Sequence, residues 1–169
     1  MQTFNEKTAL ITGASSGIGE QMARQLAAVG CNLILVARRT DRLDALAREL
    51  STVTVDVITA DLSDPQAADA VYQQTLVLGR QIDILINNAG FGFQKPLLSL
   101  SPVDQLGMVD VNVRSLLALT QSFTAPMVQR GEGWVLNVSS VSAWFPIPGM
   151  ATYCLLYTSD AADELCSGG

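Results

Sequence analysis

The stretch TGASSGIG carries glycines at positions 13, 17 and 19, directly ahead of an amphipathic segment. Glycine lets the chain turn tightly there and lets a pyrophosphate approach backbone N–H groups at a helix N-terminus, where the dipole also favours negative charge. A glycine-rich turn is often only a turn. Its place between a first buried strand and a helix is what makes this one a nucleotide site, although its G-x3-G-x-G spacing differs from the G-x-G-x-x-G fingerprint. About 20 residues further on the chain reads Ala37-Arg38-Arg39. NAD calls for Asp or Glu at that spot to hold the ribose 2'-hydroxyl, whereas the 2'-phosphate of NADP needs a cation. With no carboxylate there to repel a phosphate and Arg38 placed to pair with one, the pattern favours NADP over NAD. The competing reading makes both arginines solvated residues before a helix that also holds Arg42.

The elements that must position these residues are read from hydropathy. TALIT (Thr8 to Thr12) is a short apolar run ending at Gly13, as expected for a parallel strand buried on both faces. Ile18, Met22, Leu26 and Val29 then recur at helical spacing and are expected on one buried face, with Gly30 as a stop. NLILVA is a second strand, Leu43, Leu46, Ala47 and Leu50 mark a second helix, and TVTVDVITA is a third strand. Ser63-Asp64-Pro65 starts a third helix, IDILIN is a fourth strand, and GWVLNVSS a fifth. Between the last two strands, Val103, Leu106, Val109, Val113 and Leu117 mark the apolar face of a long helix. This alternation predicts an α/β fold, a doubly wound parallel sheet whose ligand crevice lies beyond the carboxyl ends of the strands.

Composition bounds the partners. At 169 residues with 49% hydrophobic and 15% charged, the chain is expected to fold as one domain. A formal charge of -6, with Lys7 and Lys95 the only lysines, argues against a nucleic-acid surface and for a small-molecule partner. Cys31, Cys154 and Cys166 lack the paired spacing of a disulfide framework, and the absence of His excludes a Cys/His metal site, so no metal is expected. No apolar stretch approaches the roughly 20 residues of a membrane helix and the N-terminus lacks a signal peptide, so a cytoplasmic protein with no membrane partner is expected.

Taken together, TGASSGIG, ADL (Ala60 to Leu62) and NNAG (Asn87 to Gly90), in this order, resemble the short-chain dehydrogenase/reductase family over about residues 7 to 153. The resemblance implies a Rossmann fold that binds its cofactor through Gly13, Ser15, Ser16, Gly17, Ile18 and Gly19. Asp61 and Leu62 would border the adenine, and Asn88, Ala89 and Gly90 would line the cofactor. Asn87 is read instead as structural, bonding neighbouring strand backbone. Family catalysis uses Asn, Ser, Tyr and Lys, the last two as Y-x3-K, and its pattern falls on Asn112, Ser140 and Tyr153. Tyr153 would give a proton to a carbonyl oxygen as hydride arrives, Ser140 would donate a hydrogen bond to that oxygen, and Asn112 would hold a water near the lysine. A phenol ionises near a pKa of about 10, and the family's lysine favours the phenolate while holding the nicotinamide ribose. The expected substrate is a small carbonyl or alcohol, and the full-length protein is expected to be a homo-oligomer.

Here position 157 is Tyr, and no lysine follows Lys95. CLLYTSDAADE can also be back-translated into codons resembling the adapter used in transposon-based sequencing libraries. The expectation is therefore an incomplete, C-terminally truncated Rossmann domain over 1–153 and a non-native tail over 154–169, with no activity in the chain as written. Two other readings stay open: a non-catalytic dinucleotide-binding or sensor protein, which could lose the lysine, and a nucleotide-binding fold serving as an interaction scaffold.

Overall fold

The computed structural model describes residues 4–145 and 147–163, with side chains as far as Tyr157. Tail positions from 164 on, Cys166 among them, lie outside the described residues. Five parallel strands form one sheet in the order β3-β2-β1-β4-β5: β1 (Thr8–Thr12), β2 (Asn32–Ala37), β3 (Val55–Thr59), β4 (Ile84–Asn87) and β5 (Trp134–Asn137). The chain winds outward from β1 through β2 to β3, then crosses back to place β4 on the other side of β1. The carboxyl ends of β1 and β4 therefore form the switch point where such sheets open a crevice.

Alternation along each strand sorts the core into two layers. Ala9, Ile11, Leu33, Leu35, Ile84 and Ile86 face α1 (Gly17–Ala28) and α2 (Thr40–Glu49), while Leu10, Ile34, Val36 and Leu85 face α3 (Ala67–Val77) and α5 (Leu116–Arg130). That is the doubly wound Rossmann architecture expected from the sequence. A third, smaller cluster joins Met108 of α4 (Pro102–Val109) to Leu156 and Tyr157 of α6 (Ala151–Asp163).

Two helix faces differ from expectation. In α1 the buried residues are Gly19, Ala23 and Ala27, while Ile18 and Val29 are 58% and 52% exposed. Small side chains let this helix lie close on the sheet and leave Ile18 facing the crevice. The helix expected from Val103 to Leu117 exists, but Val103, Leu106 and Leu117 are exposed, and Met108, Val111, Asn112, Ser115 and Leu119 are buried. A π-helical segment, Asp110–Ser115, joins α4 to α5. Its wider turn shifts the inward face out of the register that a 3.6-residue repeat projects.

β5 is an edge strand of the sheet, with Val135 38% and Leu136 45% exposed. At the opposite edge β3 is mostly half-buried, with Ile58 buried and Thr59 exposed.

Candidate active site

At the switch point the loops after β1 and β4 are tied together. Thr12 Oγ1 accepts from the backbone N–H groups of Asn88 and Ala89, both at 3.0 Å, and Asn88 Nδ2 donates to Thr12 O at 2.9 Å. The approach is close enough that a Cβ on Gly13 would lie 2.9 Å from Ala89 Cα, and one on Gly19 would lie 2.5 Å from Asn88 Nδ2 and 2.6 Å from Gly13 O. Gly13 and Gly17 also take φ values of 67° and 61°, which L side chains rarely adopt. The glycine pattern thus brings the start of α1 against the β4 loop. The N-cap residue, Ser16, makes no side-chain cap, so the first-turn N–H groups of α1 have no side-chain acceptor there.

These loops frame an open cleft of about 590 Å³. It gathers Gly13, Ser15, Ser16, Ile18, Arg38, Arg39, Asp61, Leu62, Asn88, Ala89 and Gly90, together with Ser140 and Tyr153. Of the residues singled out in the sequence, Gly17, Gly19 and Asn112 do not line it. The two glycines shape its wall. Asn112 is buried in the π-helical segment, where its Oδ1 accepts from Phe91 N at 3.1 Å and its Nδ2 donates to Phe91 O at 2.9 Å, holding the loop after β4.

At one end of the cleft Arg39 folds over the glycine loop, donating to Ser16 Oγ at 2.7 Å and Ser15 Oγ at 3.0 Å. Arg38 is exposed, with Nη1 4.0 Å from Asp61 Oδ2. Partial burial raises the Asp61 carboxyl, but hydrogen bonds from the Ser63 N–H and hydroxyl, with the Arg38 charge, outweigh it and hold the group below its ordinary value. These two arginines are the only cations among the described residues that line the cleft.

The other end is built from β5 and α6. Ser140 caps a short 3-10 turn, Val141–Ala143, accepting from Ser142 N at 3.2 Å, which leaves its own O–H to donate. Tyr153 and Tyr157, one turn apart on α6, lie with ring centroids 4.7 Å apart and planes at 55°. The Tyr153 ring rests against Gly92, and Tyr157, only 6% exposed, brings its hydroxyl to the point 2.9 Å from where a Gly90 Cβ would sit. Asn87 lies below the cleft as a buried structural residue. Its Nδ2 donates to Thr120 Oγ1 and Asn137 Oδ1, both at 2.9 Å, side-chain partners where strand backbone was expected.

Sequence reasoning missed Thr12, whose hydroxyl joins the two loops, and the wall residues Phe91, Val138 and Val141. Their signal was position alone, at or just past a strand's carboxyl end.

The family model described as short chain dehydrogenase matches residues 7–155. The chain is 37% identical over 153 residues to a dehydrogenase/reductase SDR family protein 7-like of Drosophila melanogaster, covering 87% of this chain and 47% of that protein. Among solved structures, a metagenomic short-chain oxidoreductase in complex with NADP superposes with a TM-score of 0.87 at 29% identity, covering 97% of this chain and 78% of that one. The bulky-bulky ketone specific alcohol dehydrogenase of Comamonas testosteroni superposes with a TM-score of 0.85 at 38% identity, covering 91% and 63%. This chain spans about half the length of the curated relatives it matches.

Proposed function

The chain belongs to the short chain dehydrogenase family, an NAD(P)-dependent oxidoreductase family, and we propose that its full-length form interconverts a small carbonyl and an alcohol with NADP as the preferred cofactor. The observation that carries the preference is the pair Arg38 and Arg39 past the end of β2, beside the uncapped start of α1. The cradle fits a dinucleotide: side chains at Gly13 or Gly19 would fill it, the helix start favours a pyrophosphate, and the arginines favour a further phosphate. The NADP bound in the metagenomic relative supports the same choice.

In this reading Gly13, Ser15, Ser16, Gly17, Ile18 and Gly19 hold the pyrophosphate end, and Arg38 and Arg39 meet the 2'-phosphate. Asp61 and Leu62 border the adenine, and Asn88, Ala89 and Gly90 line the path toward the nicotinamide. Bound NADPH supplies hydride. The chain's own part is to orient the carbonyl and protonate its oxygen: Ser140 donates a hydrogen bond and Tyr153 donates the proton. Asn112 acts by fixing the Phe91 backbone. No cation stands beside Tyr153 among the described lining residues, which supports the further proposal that this polypeptide turns over little or no substrate.

We also propose that residues 154–169 are foreign to the natural protein, that the protein is cytosolic, and that the full-length form is a homo-oligomer. The family match, which ends at 155 and so takes in only the first two of those residues, supports the first, and the exposed Val103, Leu106 and Leu117 the last. Genomic DNA across codons 150–169 tests the boundary.

The cofactor reading is tested by titrating the folded chain with NADPH and NADH. NADPH binds more tightly, and Arg38→Asp narrows or reverses the ratio, because a carboxylate repels phosphate and accepts from a 2'-hydroxyl. Equal affinities for the two cofactors would overturn it.

A further inference from the structure

The cleft is chemically lopsided. Its cations, Arg38 and Arg39, stand at one end, with the Ser15 and Ser16 hydroxyls at hydrogen-bond distance from Arg39. The other end presents hydroxyls and rings. The ground between Gly90 and Asn112 is taken by the Tyr157 phenol: a Cβ placed on Gly90 would meet Tyr157 Oη at 2.9 Å and Asn112 Oδ1 at 3.3 Å. The Asn112 amide is committed to the Phe91 backbone through both its oxygen and its nitrogen. Tyr157 is in turn wedged in the cluster with Met108 and Leu156 and tilted against the Tyr153 ring, so its ring does not swing aside without disturbing α6.

We infer that this cleft binds its ligand by the 2'-phosphoadenosine end alone, so that adenosine 2',5'-bisphosphate binds as tightly as NADPH and the nicotinamide riboside adds nothing. The inference rests on the NADP reading given above and goes beyond it by assigning the whole of the affinity to one end. Phosphate recognition there is charge-assisted, which is the stronger class of hydrogen bond. At the far end a riboside displaces no charge and gains no charged partner, and the Tyr157 hydroxyl stands against Gly90 on the cleft wall.

The test is calorimetric titration of the 169-residue chain with adenosine 2',5'-bisphosphate, NADPH and NADH. The expected result is a bisphosphate Kd within about threefold of the NADPH Kd, with NADH weaker by about tenfold or more. If NADPH binds more than about threefold tighter than the bisphosphate, the inference falls while the NADP reading stands. If NADH matches NADPH, or none of the three binds, the NADP reading itself falls and takes the inference with it. Two variants locate the cause. Tyr157→Ala removes the ring, and Tyr157→Leu keeps an apolar contact for Met108 while withdrawing from Gly90. In whichever folds, the NADPH affinity rises relative to the bisphosphate, whose own Kd stays unchanged. An unchanged ratio in a folded variant overturns the assignment to Tyr157. Arg39→Ala should weaken bisphosphate and NADPH by the same factor, and unequal loss would show that the two ligands use different contacts.

Discussion

At one end of the cleft Arg39 is held by Ser15 and Ser16, above strands β1 and β2, whose residues are almost all buried. At the other end Ser140 follows β5, an edge strand with Val135 and Leu136 exposed, and Tyr153 rises from α6, whose packing is shared mainly with α4 and the Val141–Ala143 turn. The first end is assembled from segments that are consecutive in the winding of the sheet, residues 13–19, 38–39, 60–62 and 88–90. The second depends on whatever flanks β5 and on how α6 is seated. In the proposed function, binding of the adenosine phosphates and chemistry at the nicotinamide would thus be separable, because different stretches of sheet would carry them.

The largest expected effect is on turnover, where the contrast between the ends is sharpest. Following NADPH absorbance against a panel of aldehydes and ketones, the chain as written shows no useful turnover, and Tyr157→Lys alone does not restore it. The replacement would have to keep an ammonium in a cluster formed by Met108, Leu156 and Phe91, where burial disfavours the charge. Its effect on Tyr153 also depends on α6 holding its place, and an acid misplaced by about 1 Å can cost on the order of 100-fold in rate. Replacing everything from Cys154 on with the corresponding part of a relative restores NADPH-dependent reduction, and Tyr153→Phe in that chimera abolishes it. Robust turnover by the original chain would erase the difference between the two ends.

A second consequence concerns the sheet below the Ser140 end. An exposed apolar edge is a template for pairing with another chain. Sedimentation of the purified chain should show association, and Leu136→Lys, which puts a charge at that edge, should shift the population toward monomer. A monodisperse monomer that melts cooperatively without the change would show that β5 is as well finished as β2.

The same division marks what could be read in the sequence. The strands were plain as apolar runs because each is short, parallel and bounded by turn residues, and the glycine loop was plain because its spacing sits between strand and helix. The helix faces were not. In α1 the packing surface is Gly19, Ala23 and Ala27, which hydropathy ranks below the exposed Ile18 and Val29. Past Pro102 the π-helical turn at Asp110–Ser115 breaks the repeat on which the projection relied. Ser140, Tyr153 and Asn112 came from resemblance, and spacing could not tell that two of them line the cleft while Asn112 serves Phe91. Nor could it show that Tyr157 lies under Gly90, since that depends on how α6 meets the β4 loop.

The smallest expected effect is on stability, and it probes the finished half. Cys31 is fully buried in the layer under α1, with Sγ 3.3 Å from Lys7 O. Burial is the main cause that pushes its thiol from an ordinary 9.0 up to about 11, against a lowering by the Ala9 backbone and with a smaller contribution from the Asp83 charge in the same direction as burial. Between those values the unfolded thiol gives up its proton while the folded one keeps it. The folded state then binds more protons, so stability falls as pH rises. The contribution is fully present below pH 9.0 and is lost by about pH 11, a change on the order of 2 kcal/mol. Urea midpoints measured at about pH 8 and about pH 10.5 should therefore drop for the native chain more than for Cys31→Ala, which is less stable throughout but lacks the titrating group. Lys7, whose pKa is raised chiefly by the Glu132 hydrogen bond, is present in both proteins and cancels in the difference. Equal pH slopes would mean that water reaches Cys31. The layer beneath α1 would then be no better sealed than the edge beneath Ser140.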